Sequence, residues 1–270
     1  MKPGTSRLAM LTLMLACSGC DEPPSGAGDT SSGEVVETST ETSVYAAAVA
    51  HAGRSAKDLE RDTRSKPAEV LQFFGIRPGM RVLDLFSGGG FYSELLAHVV
   101  GPEGSVVAHN NSAYIGYLGD EIEQRYADGR LPTVETPLAE NNQLSLAPDT
   151  FDAVVMILAY HDIYYSSPKD GWPKLDGPRL LAERHRALKP GGVVGIVDHH
   201  AGAGAPRETG GSVHRIDPRI VIDDLTRAGF ELEEQSEELR NIEDDYSKIV
   251  FDQELRGKTD RFILRFRKPE

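Results

Sequence analysis

Cysteine is nearly absent. The 270 residues hold two, Cys17 and Cys20, both within the first twenty positions. From Asp21 onward no disulfide, cysteine-bound zinc or thiol nucleophile is available. Positive charge is also scarce. The 29 Lys and Arg face 42 Asp and Glu, for a net charge of -13. Such a chain lacks the basic surface that displaces counterions from a nucleic acid, which excludes a nonspecific nucleic-acid binder. Long apolar runs are missing too. The stretch Leu8 to Ala16 is too short to span a bilayer as a helix.

The amino terminus reads as an address. Lys2 and Arg7 precede the apolar run, and small residues lead into a cysteine, the order of an export signal of lipoprotein type. Met-Leu-Ala before Cys17 and Cys-Ser-Gly before Cys20 both fit the cleavage box. Residues 1–20 are therefore expected to be a signal segment that leaves a lipid-anchored protein on the periplasmic side of a bacterial membrane. Residues 21–44 carry six acids and no base, with little apolar surface to offset ordering entropy, and read as an acidic tether. The folded domain is expected over residues 45–270, a length that buries one sizeable α/β core.

Within that domain β-branched runs alternate with helical stretches, the pattern of a mostly parallel sheet of about seven strands covered by helices on both faces. Pro67 opens a helix that Gly75 closes. Met80 to Phe86 reads as a buried first strand, followed by Gly88-Gly89-Gly90 and a helix to Val99. Val106 to His109 is a second strand, Ile115 to Tyr126 a helix, and Val134 marks a weak third strand. Phe151 to Leu158 is the fourth. The helix Pro178 to Leu188 stops at a Lys189-Pro190-Gly191-Gly192 turn before the fifth strand, Val193 to Asp198. Asp217-Pro218 opens the next helix. The segments FELEEQSEEL and TDRFILRF alternate as closing strands with one wet face.

In an open sheet of this kind ligands bind beyond the carboxyl ends of the strands. Glycines there let backbone amides approach a ligand, and Asp84 at the end of the first strand accepts hydrogen bonds from an amine. Five of eight histidines, His109, His161, His199, His200 and His214, fall at strand ends on that side. His161, Asp162 and His199 are candidates to remove a proton from a substrate. The same imidazoles and carboxylates, with His214, suit zinc or iron, although no tight H-x-x-x-H spacing exists, and a metal is not the leading expectation. Tyr160, Tyr164, Tyr165 and Trp172 crowd one loop and suit an apolar lid. Arg240, Arg256, Lys258 and Arg261 fit either an anionic ligand or surface ion pairs.

The succession VLDLFSGGG, GSVVAHN, LSLAPDTFDAVV and RALKPGGVVGIVD resembles, in order and spacing, the class I S-adenosylmethionine-dependent methyltransferases. That resemblance spans roughly residues 65–235 together with the closing strand. It implies a Rossmann-like, doubly wound sheet with an antiparallel closing strand, S-adenosyl-L-methionine as cofactor, and methyl transfer to a small-molecule or envelope acceptor, with no nucleic-acid partner. Asp84, Gly88 and Gly90 fall on the family's DxGxGxG motif, and with Ser87 they would hold the aminocarboxypropyl end of the cofactor. Phe86 stands where the first motif glycine is usual, which implies a narrower pocket. Asn110 stands where an acid usually grips the ribose hydroxyls, and Glu140 or Asn141 would meet the adenine. The HD pair after the fourth strand, DHHAGAG, HRID and RGKTDRF resemble a bacterial set of exported methyltransferases. The departures at Phe86 and Asn110, with the export signal, leave a second expectation: a tethered binding protein that keeps the fold and has lost transfer.

Overall fold

The computed structural model describes residues 44–140 and 143–270. The expected signal segment, all but the last residue of the acidic tether, and Asn141 lie outside the described residues. Among the described residues no helix is long and apolar enough to cross a membrane.

Seven strands form one sheet in the order β3-β2-β1-β4-β5-β7-β6. They are β1 (Arg81–Leu85), β2 (Ser105–His109), β3 (Val134–Glu135), β4 (Phe151–Ile157), β5 (Leu188–His199), β6 (Glu231–Ser236) and β7 (Arg261–Arg267). Strand β7 runs antiparallel to both neighbours, and the β1–β2, β1–β4, β2–β3 and β4–β5 pairs are parallel. The pattern predicts the mostly parallel sheet covered on both faces, and the family resemblance implies its antiparallel closing strand.

Strand periodicity builds two cores, one on each face. Leu83, Leu85 and Val107 face one way, onto Leu180 and Leu181 of α6 (Gly177–Ala187) and Val221 and Leu225 of α8 (Pro218–Arg227). Val82 and Val106 face the other, onto Val70, Leu71 and Phe74 of α2 (Pro67–Phe74), which follows α1 (Ala56–Ser65), and Leu95 and Leu96 of α3 (Phe91–Val100). Gly195 in β5 lets Phe74 lie flat on the sheet, because a Cβ there would meet the ring at 2.6 Å. The helix starts follow local chemistry. Pro67 occupies the first turn of its helix, and Asp176 and Asp217 accept backbone N–H groups at theirs.

Three expectations change. The single helix over Ile115 to Tyr126 is two, α4 (Ser112–Leu118) and α5 (Glu121–Tyr126), because Gly119 at φ 54 breaks the ladder. The Lys189–Gly192 segment is part of an extended β5. Leu188 already pairs with Phe151, and Gly191 at φ 70 takes up a register shift before Ala153 pairs with Val193. Strand β7 has no wet face along Arg261 to Leu264, since Phe262 and Leu264 pack into one core and Ile263 into the other. The wet alternation belongs to β6 at the sheet edge.

The stretch between β6 and β7 is built of turns tied down by charge. Arg215, fully buried, donates to both carboxylate oxygens of Asp244 at 2.8 and 3.0 Å. Arg240 pairs with Asp260 and Glu237, and the Arg261 guanidinium donates to the Arg64 carbonyl. Arg240 and Arg261 are thus engaged internally.

Candidate functional site

Strand β1 delivers Asp84 to its carboxyl end and leads into Phe86-Ser87-Gly88-Gly89-Gly90. The turn alternates left-handed residues, Phe86 at φ 58, Gly88 at φ 57 and Gly90 at φ 77, before α3 begins. Glycine takes that conformation freely. A side chain there costs on the order of 1–2 kcal/mol. Phe86 offsets the cost by burial, with its ring stacked on Tyr114 at 5.4 Å and 9° and tilted over His109 at 5.5 Å.

Asp84 is 2% exposed and accepts a 2.6 Å hydrogen bond from Ser93 Oγ. Burial dominates its electrostatics and pushes its carboxyl up to about 6, against the Ser93 bond and the Arg61 charge. A carboxylate in this state has acceptor capacity left on Oδ1 and is stabilised by an approaching cation.

Asn110 acts differently from the expected ribose grip. Its Oδ1 accepts from Gly88 N at 3.0 Å, and its Nδ2 donates to Gly88 O at 3.0 Å and Ser87 Oγ at 3.1 Å. The carboxamide is a clamp on the glycine turn, with both N–H groups spent and one lone pair remaining. Glu140 accepts from Ser112 N at 3.3 Å and from the Ser112 hydroxyl. That contact pins the start of α4. His109, held well below the usual imidazole range at about 4 by burial, sits under Phe86 and donates from Nε2 to the Ala139 carbonyl at 2.8 Å.

The outer side of the turn is covered by α5. Arg125 Nε donates to Gly89 O at 2.8 Å, and a Cβ on Gly90 would lie 2.5 Å from the Tyr126 hydroxyl. Arg125 also pairs with Asp58 and Glu94, and Arg130 pairs with Glu94. Burial raises the Glu94 carboxyl, but hydrogen bonds from His98, Arg130 and Arg125 more than compensate and bring it to about 2. No motif announces this network, because its members lie on four separate segments.

On the neighbouring strand, Leu158 at φ 57 ends β4, and a 3-10 turn (Tyr160–Tyr164) follows. It sets His161 and Asp162 against the end of β5. Asp198, fully buried, accepts from His161 N and His161 Nδ1, each at 2.8 Å, and from His199 N at 2.7 Å. Burial alone lowers the His161 imidazole, yet Asp198 and then Asp162 outweigh it and hold it up at about 9. Burial likewise pushes Asp162 up, and His161, His214 and Tyr114 bring it below its ordinary value. His199 goes the other way. Burial, then the positive His161, keep it well below the usual range, and its Nδ1 bonds Thr259 Oγ1 at 2.7 Å. At neutral pH His161 is charged, His199 neutral and Asp162 ionised. His200 turns away to stack on Tyr246.

His214 ends the short helix α7 (Thr209–Val213) at φ 56. Gly210 of that helix lies so close to the 3-10 turn that a Cβ would meet His161 O at 2.6 Å, and this contact brings His214 to His161. A narrow cleft opens beside the group, lined by Phe86, Tyr114, Asp162, Tyr165, Trp172 and Leu175 among others. Its enclosed space is about 10 Å³ with Phe86 and Tyr114 in place, far below the roughly 300–1,000 Å³ of ligand sites, so a ring-sized group enters only when these side chains move aside. Tyr165 and Trp172 wall the cavity as the lid expectation anticipates, whereas Tyr160 and Tyr164 turn to Asp224.

Asp84, Ser87, Gly88, Gly90 and Asn110 thus gather at one turn, and His161, Asp162 and His199 at the next strand end. Glu140 stands on the α4 side. Asp198 and Tyr114 were not among the candidates. Asp198 had a signal, a carboxylate at the end of β5 in line with the end of β4. Tyr114 had none, because its ring reaches the site from a helix.

Residues 83–196 match a family model described as a methyltransferase domain, and residues 33–121 match one for protein-L-isoaspartate(D-aspartate) O-methyltransferase. Among curated relatives, the ubiquinone/menaquinone biosynthesis C-methyltransferase of Teredinibacter turnerae is 28% identical over 130 residues, 48% of this chain and 47% of that protein. The 2-phytyl-1,4-naphtoquinone methyltransferase of Synechococcus elongatus is 30% identical over 132 residues, 48% of this chain and 51% of that one. The chain spans about half the length of the curated relatives it matches. Among solved structures, an S-adenosylmethionine-dependent methyltransferase from Aquifex aeolicus aligns with a TM-score of 0.53 at 23% identity, covering 77% of this chain and 98% of its own. Phosphoethanolamine N-methyltransferase 2 of Haemonchus contortus, in complex with S-adenosyl-L-methionine, aligns with a TM-score of 0.55 at 17% identity, covering 76% and 53%. These structural likenesses establish the fold.

Proposed function

We propose that this chain, a class I S-adenosylmethionine-dependent methyltransferase by fold and by domain match, methylates a small acceptor whose ring lies among Phe86, Tyr114, Tyr165 and Trp172. One observation carries the reading. Phe86 belongs both to the glycine turn and to the wall of the cavity, so cofactor loop and acceptor pocket are contiguous. The names of the relatives support a planar ring acceptor, since they place those proteins in quinone methylation.

The residues present fit the cofactor at its amino-acid end. Asp84, buried and raised toward neutrality, suits an ammonium group, and the Gly88–Gly90 turn lets backbone approach closely. At the ribose, Asn110 offers a single lone pair. When bound, S-adenosylmethionine supplies a methyl group already activated on a sulfonium. The aromatic wall then orients the acceptor, and alignment of this kind removes on the order of 7–11 kcal/mol from a barrier. Asp162 is the carboxylate on the cavity wall and receives the acceptor's proton, a smaller factor of about 10²–10⁴. His161, charged and set back from the cavity, keeps Asp162 ionised, and Asp198 keeps His161 in place.

The test is calorimetry with S-adenosylhomocysteine, followed by turnover on phenolic and quinol acceptors. One-to-one binding lost in Asp84→Ala supports the reading, and absence of both heat and thermal shift ends it. Phe86 in a glycine's conformation and Asn110 engaged with Gly88 favour a second reading, a binding protein without transfer. Saturable binding with no methylated product in envelope extracts would select it. The order of residues 2–20 supports an exported, lipid-anchored product, which mass spectrometry of the purified protein checks at Cys17 and Cys20.

A further inference from the structure

We propose that His161, Asp162 and His214 form a site for a divalent transition-metal ion of the zinc type. His161 Nε2 lies 3.2 Å from His214 Nδ1 and 3.4 Å from Asp162 Oδ1, and His214 Nδ1 lies 3.6 Å from Asp162 Oδ1. An ion with bonds of about 2.0–2.1 Å in tetrahedral geometry holds its ligands about 3.4 Å apart. The triangle matches one face of such a tetrahedron. Two imidazoles and one carboxylate with a fourth position open is a donor set that binds zinc or ferrous iron.

The groups behind the three atoms are those that a metal site needs. Asp198 accepts the Nδ1–H of His161, which fixes the tautomer and turns the Nε2 lone pair toward the other two ligands. The Tyr114 hydroxyl donates to Asp162 Oδ2, leaving Oδ1 for the ion. His214 holds a left-handed backbone conformation that its residue type enters only at a cost, and α7 fixes it there through the Gly210 contact.

The ion displaces the proton on His161 Nε2, which leaves to solvent, and the charge of Asp162 is then shared with the metal. Asp162 also borders the aromatic cavity, so the ion stands beside it, and its open position takes water or an oxygen of the acceptor. Ion binding does not require methyl transfer, and with the ion bound Asp162 is a ligand rather than the free base of the transfer. Only the anchoring of an acceptor oxygen rests on that reading.

Full-length protein prepared without an affinity tag is titrated with Co(II) and with Zn(II) in chelator-buffered solution. The expected result is one ion per chain with the visible ligand-field bands of four-coordinate Co(II), displaced by Zn(II). Both His214→Asn, which tolerates the left-handed backbone, and Asp162→Asn lose the bands, and Asp198→Asn binds 10–100-fold more weakly. His200→Ala, outside the triangle, binds as the parent does. Absence of saturable binding to the parent protein, or bands that persist in both ligand variants, overturns the proposal. Circular dichroism confirms that the variants fold, and S-adenosylhomocysteine affinity on the same samples reports separately on the Asp84 turn.

Discussion

The ends of β1 and β4 are neighbours in one sheet, yet they are held by opposite means. At β1 the inner side of the turn is fixed by neutral side chains, and charge enters only on its outer side, through Arg125. Asn110 makes three amide-type bonds to Ser87 and Gly88, and the buried Asp84 has a serine hydroxyl as its hydrogen-bond partner. At β4 charge does the holding, with Asp198 gripping two N–H groups of His161 and one of His199. A neutral scaffold leaves the buried carboxylate of Asp84 receptive to a cation. A charged one fixes imidazoles in a single orientation. The division matches a site that receives a cationic cofactor on one side and orients an acceptor on the other.

The largest expected break is Asp198→Ala. It leaves three donors unpaired, one of them on the buried His161 imidazole, and unfolding free energy should fall by about 3–5 kcal/mol in urea titration. A loss below 1 kcal/mol would show that charge does not hold the β4 side. Phe86→Gly comes next. It removes a buried ring worth about 3–5 kcal/mol and relieves about 1–2 kcal/mol of backbone cost, for a net loss of about 1–4 kcal/mol. Despite that loss S-adenosylhomocysteine should bind several-fold more tightly by calorimetry. Unchanged or weaker binding means that the ring is part of the cofactor site.

Asp84→Asn should weaken the cofactor about 10–100-fold, the worth of a hydrogen bond to a charged group. Its pH signature is distinctive. The folded carboxyl lies above its ordinary value, at about 6, so its ionisation destabilises the fold as pH rises from about 4 through 6. The parent protein should therefore lose cofactor affinity as pH drops below 6, whereas Asp84→Asn should show no such step. Glu94 has the reverse sign. Its carboxyl is held at about 2, so the stability that it contributes is present above the ordinary glutamate value and lost as pH falls toward 2. Glu94→Gln should flatten that acid limb in denaturation measured from pH 5 to 2. The smallest effect is expected for Glu140→Gln, below about 0.5 kcal/mol in stability. An unchanged cofactor affinity assigns Glu140 to the α4 start, and a tenfold loss returns it to the adenine.

Much of the β1 side was legible because its determinants are contiguous. A buried β run, an aspartate, alternate glycines and a following helix are local features, and the structure adds the φ values that they imply. Asn110 was found by position but not by partner, since its bonds go back across 22 residues to Gly88. The β4 side yielded its residue types and little of its geometry. His161, Asp162, His199 and His214 are all visible in the chain, but nothing local says that His200 turns outward while His214 turns in.

Composition and periodicity alone determined the α/β class, the parallel strands, the helix starts at Pro67 and Pro218 and the glycine turn after β1. These depend on contacts within a few residues, and short-range sterics and capping settle them. Tertiary structure alone decided the opposite charge states of His161 and His199, which carboxylate faces the cavity and how Phe86 bridges two sites. Those outcomes depend on burial and on charges brought together from four distant segments, and electrostatics in a buried cluster follows distance through space rather than spacing along the chain.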